Sequence, residues 1–171
     1  MNTDAKEQWS LKMVSPLEPG IVCVDIDRML DFYTEVLGLK FVTDAEASSE
    51  MSAKFGAAPN GFRIVRLQTP YGERIKLVQP KKVLLKENDV PEWVFERHGI
   101  VYITFVIANV QEVAVRLKKY GVGLMSEGPV EIRQGITAIF AKDPEGNFVE
   151  FVEYADLASY QPDLFKWRQI F

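Results

Sequence analysis

Few side chains in this sequence are of the types that bind metals or act as nucleophiles. His98 is the only histidine and Cys23 the only cysteine among 171 residues. Because one imidazole cannot supply a centre with two or three histidines, a metal held by one chain would depend on carboxylates, water and at most that ring. Glycine-rich phosphate loops, paired cysteines and a serine–histidine–aspartate order are missing. Nucleotide chemistry and triad hydrolysis are therefore poor hypotheses.

For the other reactive or charged side chains, a structural role is favoured over a functional one. His98 lies at the start of a predicted strand, where a solvated edge position is favoured over a general base. Cys23 lies between two valines and is interpreted as a packed thiol. Arg63 and Arg66 fall on a strand without clean alternation, and a surface role is favoured over an anion site.

The composition indicates a globular protein that does not depend on nucleic acid or a membrane. Twenty basic residues against 24 acidic ones give a net charge of −4, whereas nucleic-acid binding calls for a basic surface. The longest nearly apolar stretch, Gly99–Ala108, is far shorter than the roughly 20 residues that span a bilayer. The polar start lacks the pattern of a signal peptide. These features predict a soluble cytoplasmic protein, and the single thiol suits a reducing compartment.

An internal repeat organises the chain. Residues 69–78, TPYGERIKLV, recur as residues 143–152, DPEGNFVEFV, with proline, glycine and the following apolar alternation in register. An apolar strand precedes each copy, at 62–67 and 136–141. Each half therefore predicts a β-hairpin with a tight turn.

The upstream parts of the two halves also match each other. In the first half, residues 20–25 predict a strand, 26–37 a helix ended by Gly38, and 39–42 another strand. Phe32 and Tyr33 on that helix are interpreted as core residues. Residues 45–60 form an insertion with a possible short helix at 50–55, placed where a lid could lie.

The second half follows the same order of elements. Residues 100–107 predict a strand, and Asn109 is a plausible N-cap for a helix with apolar positions at 110, 113, 114 and 117. Gly121 ends this helix, and residues 122–125 predict the next strand. The result is an α+β fold made of two tandem βαβββ modules.

The repeated pattern resembles the vicinal oxygen chelate superfamily, which includes glyoxalase I, bleomycin-resistance proteins and extradiol dioxygenases. The resemblance rests on residues 24–39, VDIDRMLDFYTEVLGL, and residues 143–150, DPEGNFVE. It implies a mixed sheet that curls around a ligand cavity. The corresponding organisation is an N-terminal extension at 1–16, modules at 17–80 and 97–154, a linker at 81–96 and a C-terminal tail at 155–171.

The resemblance also implies which side chains point into that cavity. Metal-dependent members use four positions, usually occupied by histidine and glutamate, and these fall on Glu18, Lys76, Tyr102 and Glu150. Only Glu150 matches the family pattern. A charged lysine has three donors and no lone pair, so Lys76 cannot ligate a metal in that form. We therefore expect no metal and no cofactor, with Lys76 forming ion pairs with Glu18 and Glu150 instead.

Two roles for these four residues follow from the resemblance. In the functional role, Glu150 or Glu18 accepts a proton, Lys76 stabilises an oxyanion and Tyr102 donates a hydrogen bond. In the structural role, the same residues are an ion-pair network that remains after loss of a metal site.

The resemblance thus predicts a small-molecule-binding protein or a metal-independent lyase or isomerase, and leaves open whether the protein is an enzyme. A metal-dependent glyoxalase or dioxygenase remains an alternative only if Lys76 turns away, and drug sequestration is another. The expected partner is a small organic ligand. Homodimers are common in the superfamily, and the apolar tail is expected to dock on the body or on a second subunit.

Overall fold

The computed structural model describes residues 15–82, 90–96 and 98–162, and every structural statement below concerns these residues. The elements run in the order β1 (Gly20–Val22), α1 (Ile26–Asp31), β2 (Lys40–Ala47), α2 (Ser49–Lys54), β3 (Phe62–Gln68), β4 (Arg74–Pro80), β5 (Tyr102–Val106), α3 (Val110–Lys119), β6 (Val130–Arg133), β7 (Ile136–Lys142), β8 (Phe148–Tyr154) and α4 (Leu157–Tyr160). A short 3-10 turn, Val94–Glu96, precedes β5.

The described residues divide into two compact units. The first contains residues 15–26 and 38–82, and the second contains residues 27–37, 90–96 and 98–162. Helix α1 therefore comes from the first sequence repeat but clusters with the second unit.

Each unit contains one four-stranded mixed sheet of the same topology. The strand orders are β1-β4-β3-β2 and β5-β8-β7-β6. In each sheet the first strand pairs parallel with the last, and the other neighbours are antiparallel. The two predicted hairpins are present as β3–β4 and β7–β8, so the predicted α+β fold of two βαβββ modules is confirmed.

Alternation gives each sheet one buried face. In the first sheet, Val65, Leu67, Ile75 and Leu77 are at most 3% exposed. In the second sheet, the buried face carries Ile139, Ala141, Val149 and Phe151. Helix α3, which buries Val110, Ala114 and Leu117, lies against β7 and β8. The opposite face of each sheet carries candidate residues described below, and in the second sheet that face also buries Ala138, Phe148 and Val152.

Helix α1 continues into a π-helical turn, Phe32–Val36. The amide of Leu37 donates to the carbonyl of Phe32 at 3.1 Å, which is the five-residue spacing of a π-helix. Arg116 of α3 donates to the carbonyls of Glu35 and Val36 at the end of this turn. These bonds satisfy carbonyls that a helix end leaves without intrahelical donors. Phe32 and Tyr33 are buried, as expected for core residues.

One predicted element is wrong. Residues 122–125 do not form a strand and make only an isolated bridge between Leu124 and Ala141. The edge strand lies at Val130–Arg133 instead. Gly128 and Pro129 separate the two stretches, and proline cannot donate to a ladder, so pairing with β7 resumes only after them.

Other local expectations are confirmed. The side chain of Asn109 accepts a hydrogen bond from the amide of Glu112 at 3.1 Å and so caps α3. Gly38 and Gly121 have φ values of 77° and 71°, as left-handed helix ends require. Cys23 is fully buried and His98 is exposed. None of the described helices has the length and apolarity needed to cross a bilayer.

Parts of the expected organisation fall outside the described residues. Most of the N-terminal extension lies there, as do residues 83–89 of the linker and residues 163–171 of the tail. Within the described part of the tail, Tyr160 of α4 stacks on Tyr154 of β8 with 3.8 Å between ring centroids. Burial is the largest cause that raises the pKa of Tyr154 to about 12, followed by its hydrogen bond with Tyr160.

Candidate functional site

Two of the four predicted site residues meet on the first sheet. Lys76 lies on β4 opposite Gly20 of β1, and Glu18 precedes β1 by two residues. The Nζ of Lys76 lies 3.1 Å from Oε2 of Glu18, with the side chains 31% and 25% exposed. The expected ion pair between these residues is therefore present and partly shielded from water.

The surroundings of that pair are more cationic than the sequence suggested. Arg74 lies on the same face, and its Nη1 is 3.9 Å from Oε1 of Glu18. Arg66 of β3 is the cross-strand neighbour of Lys76 and lies 3.5 Å from the hydroxyl of Thr43. Three cations thus share one face with a single paired carboxylate. Strand alternation alone places Arg74 on the same face as Lys76, so its position could be predicted. Arg66 was expected to be an ordinary surface residue.

The balance of charges gives an asymmetric stability prediction. Glu18→Gln should destabilise the protein by about 1–2 kcal/mol, because the neighbouring cations lose their carboxylate. Lys76→Met should cost less than about 1 kcal/mol, because Arg74 still faces Glu18 and repulsion with Arg66 is relieved. Urea melts of the wild type, both single variants and the double variant measure this. A greater loss in Lys76→Met, or no coupling between the two changes, would contradict the assigned pair.

The other two predicted residues lie on one face of the second sheet, where Tyr102 is exposed and Glu150 is half-buried. Glu150 of β8 accepts a hydrogen bond from the hydroxyl of Thr104 on β5, with 2.6 Å between the oxygens. Phe140 of β7 is the neighbour of Glu150 on the other side. The ring of Tyr102 meets that of Phe140 edge-on, with centroids 5.4 Å apart, and contacts Phe95 at 6.1 Å. No sequence signal identified Thr104, Phe140 or Phe95 as site residues.

This arrangement can bind an organic molecule and accept a proton. Tyr102, Phe140 and Phe95 provide aromatic surface beside a carboxylate, and Tyr102 and Phe95 are 38% and 75% exposed. The Thr104 hydroxyl uses one lone pair of the Glu150 carboxylate and fixes its orientation. The second carboxylate oxygen accepts no side-chain hydrogen bond from the described residues and can face a ligand proton.

The donor set does not suit the divalent metal of metal-dependent relatives. No group of three or more histidine, cysteine, aspartate or glutamate side chains is placed to hold an ion anywhere in the described ranges. Lys76 does not turn away, because its Nζ lies 3.1 Å from Glu18.

A separate cavity of about 460 Å³ lies within the second unit. Arg28, Asp31 and Glu35 of helix α1 and its π turn line one side, and Tyr120, Lys142 and Asp143 line the other. Burial raises the pKa of the Asp143 carboxyl above its ordinary value, and hydrogen bonds from Asn147, Glu145 and Tyr33 oppose this effect. The family resemblance predicted a cavity enclosed by the curled sheet, and no sequence signal predicted this one.

The family follows from comparison with known proteins. The model of the Glyoxalase/Bleomycin resistance protein/Dioxygenase superfamily matches residues 15–151. The chain belongs to this superfamily. No curated protein matches this glyoxalase-superfamily chain.

Solved structures show the same fold at low sequence identity. A glyoxalase family protein from Bacillus cereus is 21% identical, with a TM-score of 0.72 over 85% of this chain and 97% of that one. A domain of the same superfamily from Frankia sp. EAN1pec is 16% identical, with a TM-score of 0.64 over 84% and 93% of the two chains. The trypanothione-dependent glyoxalase I of Leishmania major is 21% identical, with a TM-score of 0.59 over 90% and 95%. At these identities the likeness concerns the fold alone.

Proposed function

We propose that this glyoxalase-superfamily protein binds a small organic molecule and catalyses a metal-independent proton transfer of the lyase or isomerase type. The observation that carries the proposal is the orientation of Glu150 by Thr104 beside exposed aromatic rings. A carboxylate held in one orientation at a ligand-binding surface can act as a general base.

The roles of the four residues follow from their chemistry. Glu150 accepts the proton, and the Tyr102 hydroxyl donates a hydrogen bond to the ligand. Within the first unit, Lys76 supplies positive charge for an oxyanion. Glu18 holds Lys76 in place through their 3.1 Å ion pair.

Binding without catalysis is the second candidate, as in drug-sequestering resistance proteins. The contacts of Tyr102 with Phe95 and Phe140 favour it, because they form an aromatic surface that can stack against a planar ligand. Under this hypothesis Glu150 selects the ligand by accepting a hydrogen bond, and no proton is transferred.

Proton exchange with solvent separates the two candidates. The substrates are a panel of 2-oxoacids and α-hydroxy thioesters in D₂O, with the metal-free protein kept in a chelator. We expect the protein to catalyse exchange of the α-protons of at least one of them for deuterium. Proton NMR follows the loss of the α-proton signal. Glu150→Gln should lower that rate by about 100-fold or more, because it removes the general base. The matched control Glu127→Gln alters an exposed glutamate in the segment before β6 and should leave the rate unchanged.

Three outcomes would contradict catalysis. The first is exchange that depends on added metal, and the second is exchange at the wild-type rate in Glu150→Gln. The third is the absence of exchange for every ligand that the protein binds, which would support sequestration instead.

We also propose that the chain forms a homodimer. The edge strand β6 supports this, because all four of its residues are exposed, with Val130 49% and Ile132 62% exposed. Exposed apolar side chains on an unpaired strand edge favour association with another chain. Sedimentation velocity on the wild type and on Ile132→Lys tests this, and a monomeric wild type would refute it.

A further inference from the structure

The exposed face of the first sheet concentrates positive charge in two adjacent rows. Strand register places Arg66 opposite Lys76, and it places Gln68 between Lys40 and Arg74. The Nε of Arg74 also donates to the side-chain oxygen of Gln68 at 3.0 Å. No strand residue on this face of the described sheet is acidic. Glu18, from the segment before β1, is the carboxylate that pairs with Lys76 and Arg74.

This distribution of charge carries an energetic cost. Like charges directly opposite each other on neighbouring strands destabilise a sheet. One carboxylate compensates only part of the charge of Arg66, Arg74 and Lys76. A bound anion would complete the compensation, and the planar guanidinium groups of Arg66 and Arg74 suit a carboxylate or phosphonate better than ammonium groups would.

The neighbouring row of the same face is apolar and leaves room. Ile64, Val78 and Val22 are aligned across β3, β4 and β1, and Val22 is 57% exposed. Gly20 lies opposite Lys76, and a Cβ added there would meet no atom within 4 Å. The space above Gly20 is therefore free of described atoms, and an aliphatic surface begins one row away.

We propose that the exposed face of the first sheet is a binding site for an amphiphilic organic anion. Its carboxylate, phosphonate or phosphate group lies against Arg66, Arg74 and Lys76, and its apolar body covers Ile64, Val78 and Val22. The inference rests on the binding part of the proposed function, since it names the chemical class of a ligand. It does not depend on whether Glu150 transfers a proton.

An NMR titration of the full chain tests the proposal. The probes are hexanoate, hexylphosphonate, the neutral hexanamide and inorganic phosphate. We expect amide shifts on β3 and β4 with the two organic anions, hexylphosphonate binding more tightly, and little response to hexanamide. Inorganic phosphate should bind more weakly than hexylphosphonate because it lacks the apolar body. Arg66→Gln and Arg74→Gln should each weaken binding by about tenfold, through loss of a charge-assisted hydrogen bond.

Two further variants make the test specific. Lys54→Gln makes the same change in charge on α2, where Lys54 pairs with Glu50 at 3.5 Å, and should leave binding unchanged. Gly20→Leu keeps every charge, fills the space beside Lys76 and should weaken binding while the thermal midpoint changes little.

The outcomes separate this proposal from the proposed function. Equal binding of hexanamide and hexanoate, shifts away from β3 and β4, or full binding in both arginine variants would overturn the anion site. Proton exchange that depends on Glu150 could still occur in those cases. Conversely, anion binding at β3 and β4 without any proton exchange would support the site and contradict the catalytic proposal.

Discussion

Asp143→Ala should lower the free energy of unfolding by about 2–4 kcal/mol, because several buried hydrogen bonds lose their acceptor at once. Oδ1 of Asp143 accepts from the amides of Glu145 and Asn147 at 3.0 and 2.9 Å. Oδ2 accepts from the Tyr33 hydroxyl at 3.2 Å and from the Asn147 side chain at 2.9 Å. Asp143 is 4% exposed and Tyr33 fully buried, so water cannot easily replace these partners.

The amide variant is the matched control for this change. Asp143→Asn keeps one oxygen for the two backbone amides, while the Tyr33 hydroxyl and the Asn147 amide can reorient to face the new NH₂ group. We expect a loss of about 1 kcal/mol at most. Urea denaturation of the three proteins at neutral pH measures both effects. Equal losses in the two variants would show that packing, rather than hydrogen bonding, explains the effect.

The same residue gives a pH dependence with a defined sign. Burial raises the pKa of the Asp143 carboxyl above the ordinary 3.8. Between 3.8 and the raised pKa, the folded state therefore binds more protons at this site than the unfolded state. The contribution of Asp143 to stability falls as pH rises through this window and is constant above it. Asp143→Asn should lack this fall, which urea melts across the acidic range can detect.

Gly61→Ala should be about as damaging, with an expected loss of about 2–4 kcal/mol from backbone strain and steric overlap. Gly61 has a φ of 83°, in the left-handed region that favours glycine. A Cβ there would overlap the carbonyl oxygen of Ala47, a backbone atom that cannot rotate away. Relief of the overlap would shift the paired ends of β2 and β3, where Ala47 lies opposite Phe62.

Gly56→Ala is the control for the conformational part of this loss. Gly56 has a φ of 72°, but an added Cβ would meet no atom within 4 Å. It should therefore cost only the left-handed penalty of about 1–2 kcal/mol. Thermal and urea unfolding measure the loss of stability in each variant, and the difference between the two losses is the steric contribution. A loss in Gly61→Ala no greater than in Gly56→Ala would contradict the close approach to Ala47.

Local sequence signals were sufficient for most of the fold. The two Pro/Gly turns at 69–72 and 143–146, each followed by alternating apolar residues, predicted both hairpins because turn geometry and strand periodicity are local properties. Asn109 predicted the start of α3 for the same reason. The strand at 122–125 was wrong because short apolar runs between glycines do not specify whether a partner strand continues the ladder.

The sequence identified residues of the candidate site, and the tertiary structure showed which of them are in contact. The sequence, through its resemblance to a known family, identified Glu18, Lys76, Tyr102 and Glu150, and it excluded a metal centre with several histidines because only His98 exists.

Only the tertiary structure showed that Thr104 orients Glu150 across 46 positions of chain, and that strand register places Arg66 opposite Lys76. Those contacts depend on strand pairing between distant segments, and a change of register by one residue would turn every side chain to the opposite face.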